Sequence, residues 1–398
     1  MDETKRLSSG RAVIYLTYCA LHSRCPEPKA IESMEFDKVY HQASRHSMLA
    51  ITYMAIDRFI KEYPDYELDK ELIKRWRIAH SQILQRLVFF DMERQALLDF
   101  LEKNRIWYMQ MKGAVMQNYY PRLGMRQMSD NDILIDPERR EEIRDYMLSQ
   151  GYEIVYYGVE LPDTYKKDGT KFYFEMHHAL FFNIKRTKTE YDYYANVKDR
   201  LVKVDGNQSE YQFTDEDFYI YLITHAYKHF KECGVGIRSL MDTYIYRKTK
   251  GESLNFEYID AELQKLGLSK FESISSMLAK IMFETECEQP DDILMHLSDA
   301  EKQMLRVHIL SGTFGTAEQN TQQFMRLMDA NNEITFGARV KYFMSRIFPG
   351  LDYYKLNHPF VYKTKILIPF WWCWRLIRGI FRNPKVNSRE MHYIWKSK

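Results

Sequence analysis

Apolar residues recur along this chain at two spacings, and the change of spacing divides it. Up to residue 104 they return every three or four positions. Residues 36–63 read as one long helix ended by Pro64-Asp65, and residues 70–104 as another, with an apolar line from Ile73 through Leu87 to Leu101. Between 105 and 185 the spacing shortens. Residues 106–111 read as a strand, 113–120 as a helix and 130–135 as a second strand. Pro137 opens a helix over 138–150 with acids in its first turn, and Gly151 stops it. Residues 153–159 and 171–180 read as strands joined by a turn-rich stretch, 162–169. Helical spacing returns over 186–330, and 331–398 differ in composition. The expectation is an α+β protein with a small mixed-sheet core (105–185) embedded between an N-terminal helical region (1–104), a helical domain (186–330) and a basic, Trp-rich C-terminal region (331–398).

Composition changes this picture little. Hydrophobic residues make up 45% and charged residues 28%, an ordinary globular balance, and the net charge of +2 selects no polyanionic partner. Five scattered cysteines without a Cys-x-x-Cys read as free thiols of a reducing compartment, so a cytoplasmic location is expected. No apolar run approaches the roughly 20 residues of a membrane span. Lys5, Arg6 and Arg11 ahead of residues 12–21 imitate a secretory leader. Tyr15, Thr17 and Tyr18 interrupt that segment, and an amphipathic first helix is the better reading.

The chemistry concentrates in the second strand. Side chains alternate across a strand, so Asp130 and Asp132 point one way and Asn131 the other. Two neighbouring carboxylates repel; a divalent cation such as Mg²⁺ removes that cost. Upstream, Gly113 at a strand-to-helix junction lets phosphate approach backbone N–H groups. In the strand ending FYFEMHHAL, Glu175 and His177 share one face. An edge strand with one wet face would explain them without chemistry. Otherwise Glu175 is a third metal carboxylate.

Lys112-Gly113, Tyr120-Pro121, Arg126 and Asp130-Asn131-Asp132 together resemble the DNA polymerase beta-like nucleotidyltransferase superfamily, and within it a branch of uncharacterised bacterial nucleotidyltransferases. Ala114 stands where the superfamily usually has Ser, and the spacer to Asp130 is longer than usual. The resemblance implies a nucleotidyltransferase core. Lys112, Gly113 and Arg126 would hold a nucleoside triphosphate such as ATP, and Asp130, Asp132 and Glu175 would hold Mg²⁺ or Mn²⁺. A hydroxyl of an acceptor, whether small molecule, glycan, lipid or protein, would then attack the α-phosphorus. His177 would orient the acceptor or brace Glu175.

Further on, Thr214-Asp215-Glu216-Asp217 resembles a helix start. The following helix carries His225 and His229 one turn apart, and after Gly234 and Gly236 another carries Arg238 and Asp242. This H-x-x-x-H, Gly, R-x-x-x-D order also resembles the same branch, and it offers His225, His229 and Arg238 as contacts to substrate. It leaves two rivals open: a phosphohydrolase centred on His225, His229 and Asp242, and a nucleotide-binding module without catalysis. From Gly350 onward ten Lys/Arg stand against two acids, with four of the six Trp. Arg375, Arg378 and Arg382 follow helical spacing beside Trp371, Trp372 and Trp374. That pattern points to peripheral contact with a membrane surface, against a bland alternative in which the Trp cap a core. No nucleic-acid recognition motif accompanies the charge.

Overall fold

The structure is a computed structural model that describes residues 2–158, 161–167, 172–232, 235–313, 321–322, 324–325, 328, 334–351, 353–354, 358–382 and 384–396. Five helices come first: α1 (Glu3–Leu21), α2 (Pro28–Glu32), α3 (Phe36–Arg45), α4 (Leu49–Glu62) and α5 (Lys70–Lys103). The sheet region follows with β1 (Tyr108–Gln110), α6 (Lys112–Gln117), β2 (Asn131–Ile135), α7 (Arg140–Ser149), β3 (Tyr152–Tyr156), β4 (Asp163–Lys167) and β5 (Tyr173–His177). After α8 (Lys188–Tyr193), strands β6 (Leu201–Lys203) and β7 (Tyr211–Phe213) form a separate two-stranded ladder. Then come α9 (Asp215–Glu232), α10 (Ile237–Lys250), α11 (Phe256–Lys265), α12 (Ser269–Glu284) and α13 (Asp299–Ser311). Among the described residues the C-terminal helices are α14 (Phe336–Ile347), α15 (Pro359–Thr364), α16 (Ile368–Arg382) and α17 (Pro384–Lys396). Among the described residues no helix is long and apolar enough to cross a membrane.

Several expectations change. The first helix is not amphipathic: it is buried on nearly every side from Ser9 to Ala20, packed by α3, α4, α12 and α13. The helix expected over 36–63 is broken. Ser47 takes a left-handed backbone at φ 55°, and His46 turns inward. His46 accepts the Ile237 N–H at Nδ1, and its Nε2 lies 3.1 Å from the Ile309 carbonyl, so it ties three helices together. The stretch read as a turn over 162–169 contains a strand, β4. Its Asp163 looked like a turn residue, yet it is buried because Arg140, His178 and the Gly158 N–H all engage its carboxylate. Gly234 and Lys171 lie outside the described residues.

The five-stranded sheet runs β1-β2-β5-β4-β3, antiparallel except for β2 beside β5. Strand β5 is therefore internal, and the edge-strand account of Glu175 does not hold. One face of the sheet is a core of Ile133, Ile135, Tyr165, Phe174 and Met176 against α5 and α7. Asn131 points that way and accepts from Arg94 at 3.1 Å. The opposite face carries the acids.

Candidate active site

Parallel pairing places Asp132 opposite Glu175 and Leu134 opposite His177. By alternation Asp132, Glu175 and His177 leave the sheet on one side. Ligand atoms of these three lie within 4.8 Å of one another. His177 Nε2 is 3.5 Å from Asp132 and 3.7 Å from Glu175, and it is buried without a hydrogen bond. Asp130, just ahead of β2, faces the same cavity and accepts from the Ser129 hydroxyl at 3.0 Å. Burial, then the charge of Asp132, pushes Asp130 up to about 6. Burial, then Asp132, pushes Glu175 up to about 7. These carboxyls are held where ionisation is costly.

The facing wall is helical. Tyr221, His225 and His229 follow one another at four-residue steps on α9, and the two imidazoles lie 4.6 Å apart between ring centres. Burial, then its neighbours His229 and Lys112, holds His225 far below the usual imidazole range. Burial and the charges of Lys228 and Lys112 bring His229 down to about 3. Both shifts favour the neutral imidazole. Four buried polar atoms without a hydrogen-bond partner line this one cavity of about 610 Å³: His177 Nε2, His225 Nδ1 and the hydroxyls of Tyr221 and Thr313. Such atoms are rare in folded interiors, and a polar ligand would satisfy them.

A third cluster closes the floor. Asp242, 1% exposed, accepts from Arg126 Nε at 2.8 Å, Arg126 Nη2 at 3.0 Å and the Tyr120 hydroxyl at 2.8 Å, with Lys112 Nζ at 3.6 Å. Burial alone would raise its pKa; Arg126 and Lys112 outweigh that and hold it below the carboxylate range. Arg126 Nη1 donates to the Gly113 carbonyl at 2.9 Å. Arg126 lines the cavity as well, but its guanidinium is engaged by Asp242 and the Gly113 carbonyl, and it braces the first turn of α6 against α10. Lys112 stays on the cavity wall, with burial lowering it to about 8 against the pull of Asp242. Arg238 also lines the cavity and donates to the Gln127 carbonyl at 2.7 Å. Asp242 is spoken for by Arg126 and Tyr120, and among the described residues it forms no metal-binding group with His225 and His229, which weighs against the phosphohydrolase constellation. Among the described residues, Asp132, Glu175 and His177 are the one group of three His, Cys, Asp or Glu close enough to share an ion.

That group suits a divalent cation. It offers two hard carboxylates and an imidazole nitrogen without a hydrogen bond, and a cation would offset the burial and the Asp132 charge that together raise Glu175. Sequence motifs do not single out Tyr221 or Thr313. Tyr221 was findable, since it stands one turn before His225. Thr313 was not, because only the fold brings it across from the end of α13.

Residues 32–284 match the model of a family described as uncharacterised nucleotidyltransferase. This covers well over half of the chain, and the protein belongs to that family. No curated protein and no solved structure matches the chain.

Proposed function

We propose that this protein transfers a nucleoside monophosphate from a nucleoside triphosphate to an acceptor hydroxyl, with Mg²⁺ or Mn²⁺ held by Asp132 and Glu175, assisted by Asp130 and His177. The observation that carries this is the register pairing of Asp132 with Glu175 beside an unpartnered imidazole nitrogen, on the wall of a cavity whose other side is cationic. When bound, the metal would neutralise phosphate charge and ease ionisation of the hydroxyl. The protein's own part is positioning. Lys112, in the first turn of α6, meets the phosphate tail, and Arg126 keeps that turn in place. His225, His229 and Arg238 contact substrate from the helical wall, with neutral imidazoles able to donate to phosphate oxygens. The acceptor oxygen forms a bond to the α-phosphorus, the bond from that phosphorus to the bridging oxygen breaks, pyrophosphate leaves, and the hydroxyl proton is lost to water.

Calorimetry with Mn²⁺ and a non-hydrolysable ATP analogue tests the reading. The analogue should bind only with metal, and Asp132→Asn should remove both events. Analogue binding that persists in Asp132→Asn overturns the site. Transfer is read as label passing from α-labelled triphosphates to fractions of cell extract, with pyrophosphate released. Metal-dependent binding with no transfer to any fraction would mark a binding module instead.

A further inference from the structure

Helix α16 carries apolar side chains on two faces. Ile368 is buried with Tyr354 and Val361, and Trp371 and Trp372 pack against that small cluster. Arg375 is also held on the protein, donating to the Arg346 carbonyl at 3.0 Å. That face explains the helix. The other face remains: Ile366, just before it, is 82% exposed, Phe370 72% and Trp374 54%. Residues 366, 370, 374 and 378 succeed one another at four-residue steps, so Phe370, Trp374 and Arg378 form one outward ridge. Leu367 is exposed beside it, as are Lys363, Lys365 and Arg378. A surface helix of a globular protein ordinarily turns polar residues to water. This one turns two large aromatic rings outward and places cations at both ends of the ridge.

We infer that this ridge is a docking surface for a bilayer carrying anionic lipid. Two properties select that occupant. Aromatic rings and aliphatic side chains flanked by Lys and Arg match the boundary between headgroups and acyl chains. The charge is one-sided: the sequence from 353 to 389 holds eight Lys/Arg and no acid. A protein partner would need a matching acidic and apolar groove, whereas an anionic bilayer supplies both features as a plane. The helix is too short and too charged to span, so the contact is parallel to the surface. This inference stands independently of the nucleotide reading.

The test is sedimentation of the full chain with phosphatidylcholine vesicles, alone or with about 30% phosphatidylglycerol. Partition into the anionic vesicles is expected, with little into neutral ones, falling as salt rises. Two double variants, Phe370→Ala with Trp374→Ala and Lys363→Glu with Lys365→Glu, should each reduce partition about tenfold. Met295→Ala, which removes an exposed apolar side chain elsewhere, should leave it unchanged. The charge pair sits on exposed positions and keeps the test valid should the aromatic pair fail to fold. Three results would overturn the inference: no partition into anionic vesicles, equal partition into neutral ones, or normal partition by either double variant with unaltered melting. A concentration-dependent dimer abolished by the aromatic pair would do so too, by assigning the ridge to a second copy of the chain.

Discussion

Two carboxylate centres border the same cavity, and they are built in opposite ways. Around Asp242 every charge is answered: Arg126 forks onto it, Tyr120 donates to it, Lys112 stands nearby, and its pKa is held low. Around Asp132 and Glu175 the answers are missing. Carboxyl pKa values there rise to about 6 at Asp130 and about 7 at Glu175, and the neighbouring His177 nitrogen has no hydrogen-bond partner. Burying charge is costly in both places. At Asp242 the protein offsets that cost internally, so the group is architecture. At the sheet it does not, so the group is suited to something that arrives.

The contrast is sharpest in stability. Asp242→Asn should cost about 3–5 kcal/mol, because Arg126 and Lys112 are left buried without their counter-charge. Urea denaturation measures this, and a loss under about 1 kcal/mol would remove the hub's structural role. Asp132→Asn should behave in the reverse sense. Mn²⁺ affinity should fall at least about 10–100-fold by calorimetry, with no loss of melting temperature in metal-free protein.

The pH dependence follows from the raised carboxyls. Between the ordinary carboxylate pKa and about 6 to 7, the native state holds protons that the unfolded state has released. Metal-free stability therefore falls as pH rises through that window. Asp130→Asn should consequently be more stable than the parent at pH 8, by about 1–2 kcal/mol once solvent screening is allowed for, and equal to it near pH 4. Melting curves in chelator at the two values read the difference; a variant less stable at pH 8 would contradict the repulsion. The smallest effect belongs to Tyr120→Phe. Losing one donor to a well-paired Asp242 should cost about 1 kcal/mol and leave Mn²⁺ affinity unchanged.

Local signals carried far into this protein. The start of α9 is legible because Thr214 accepts the Asp217 N–H at 3.2 Å, as its residue type suggests. The 34-residue α5 follows directly from its apolar spacing. Two of the misses share one cause, partners that lie far away along the chain. Strand β4 was hidden because Asp163 and its lysines look like turn residues, and only Arg140 and His178, distant along the chain, make the aspartate acceptable inside. The break at Ser47 was hidden because the partners of His46, Ile237 and Ile309, lie about 190 and 260 residues away. The β6–β7 ladder fell in a stretch that reads as helical, and three-residue strands leave little period to detect.

Alternation along single strands was enough to put Asp130 with Asp132, and Glu175 with His177, because a pleated backbone has only two sides. Whether those pairs ever meet depended on which strands became neighbours, and in what register. Pairing β2 parallel to β5, with 132 opposite 175, was decided by the apolar undersides of both strands seeking one core against α5 and α7. The same assembly turned Arg126 from a free cation into a brace, since the partner it found, Asp242, comes from a helix more than a hundred residues later. Residue types and their periods are local properties; the company each charge keeps is set by long-range packing, and that company separates a ligand site from a structural ion pair.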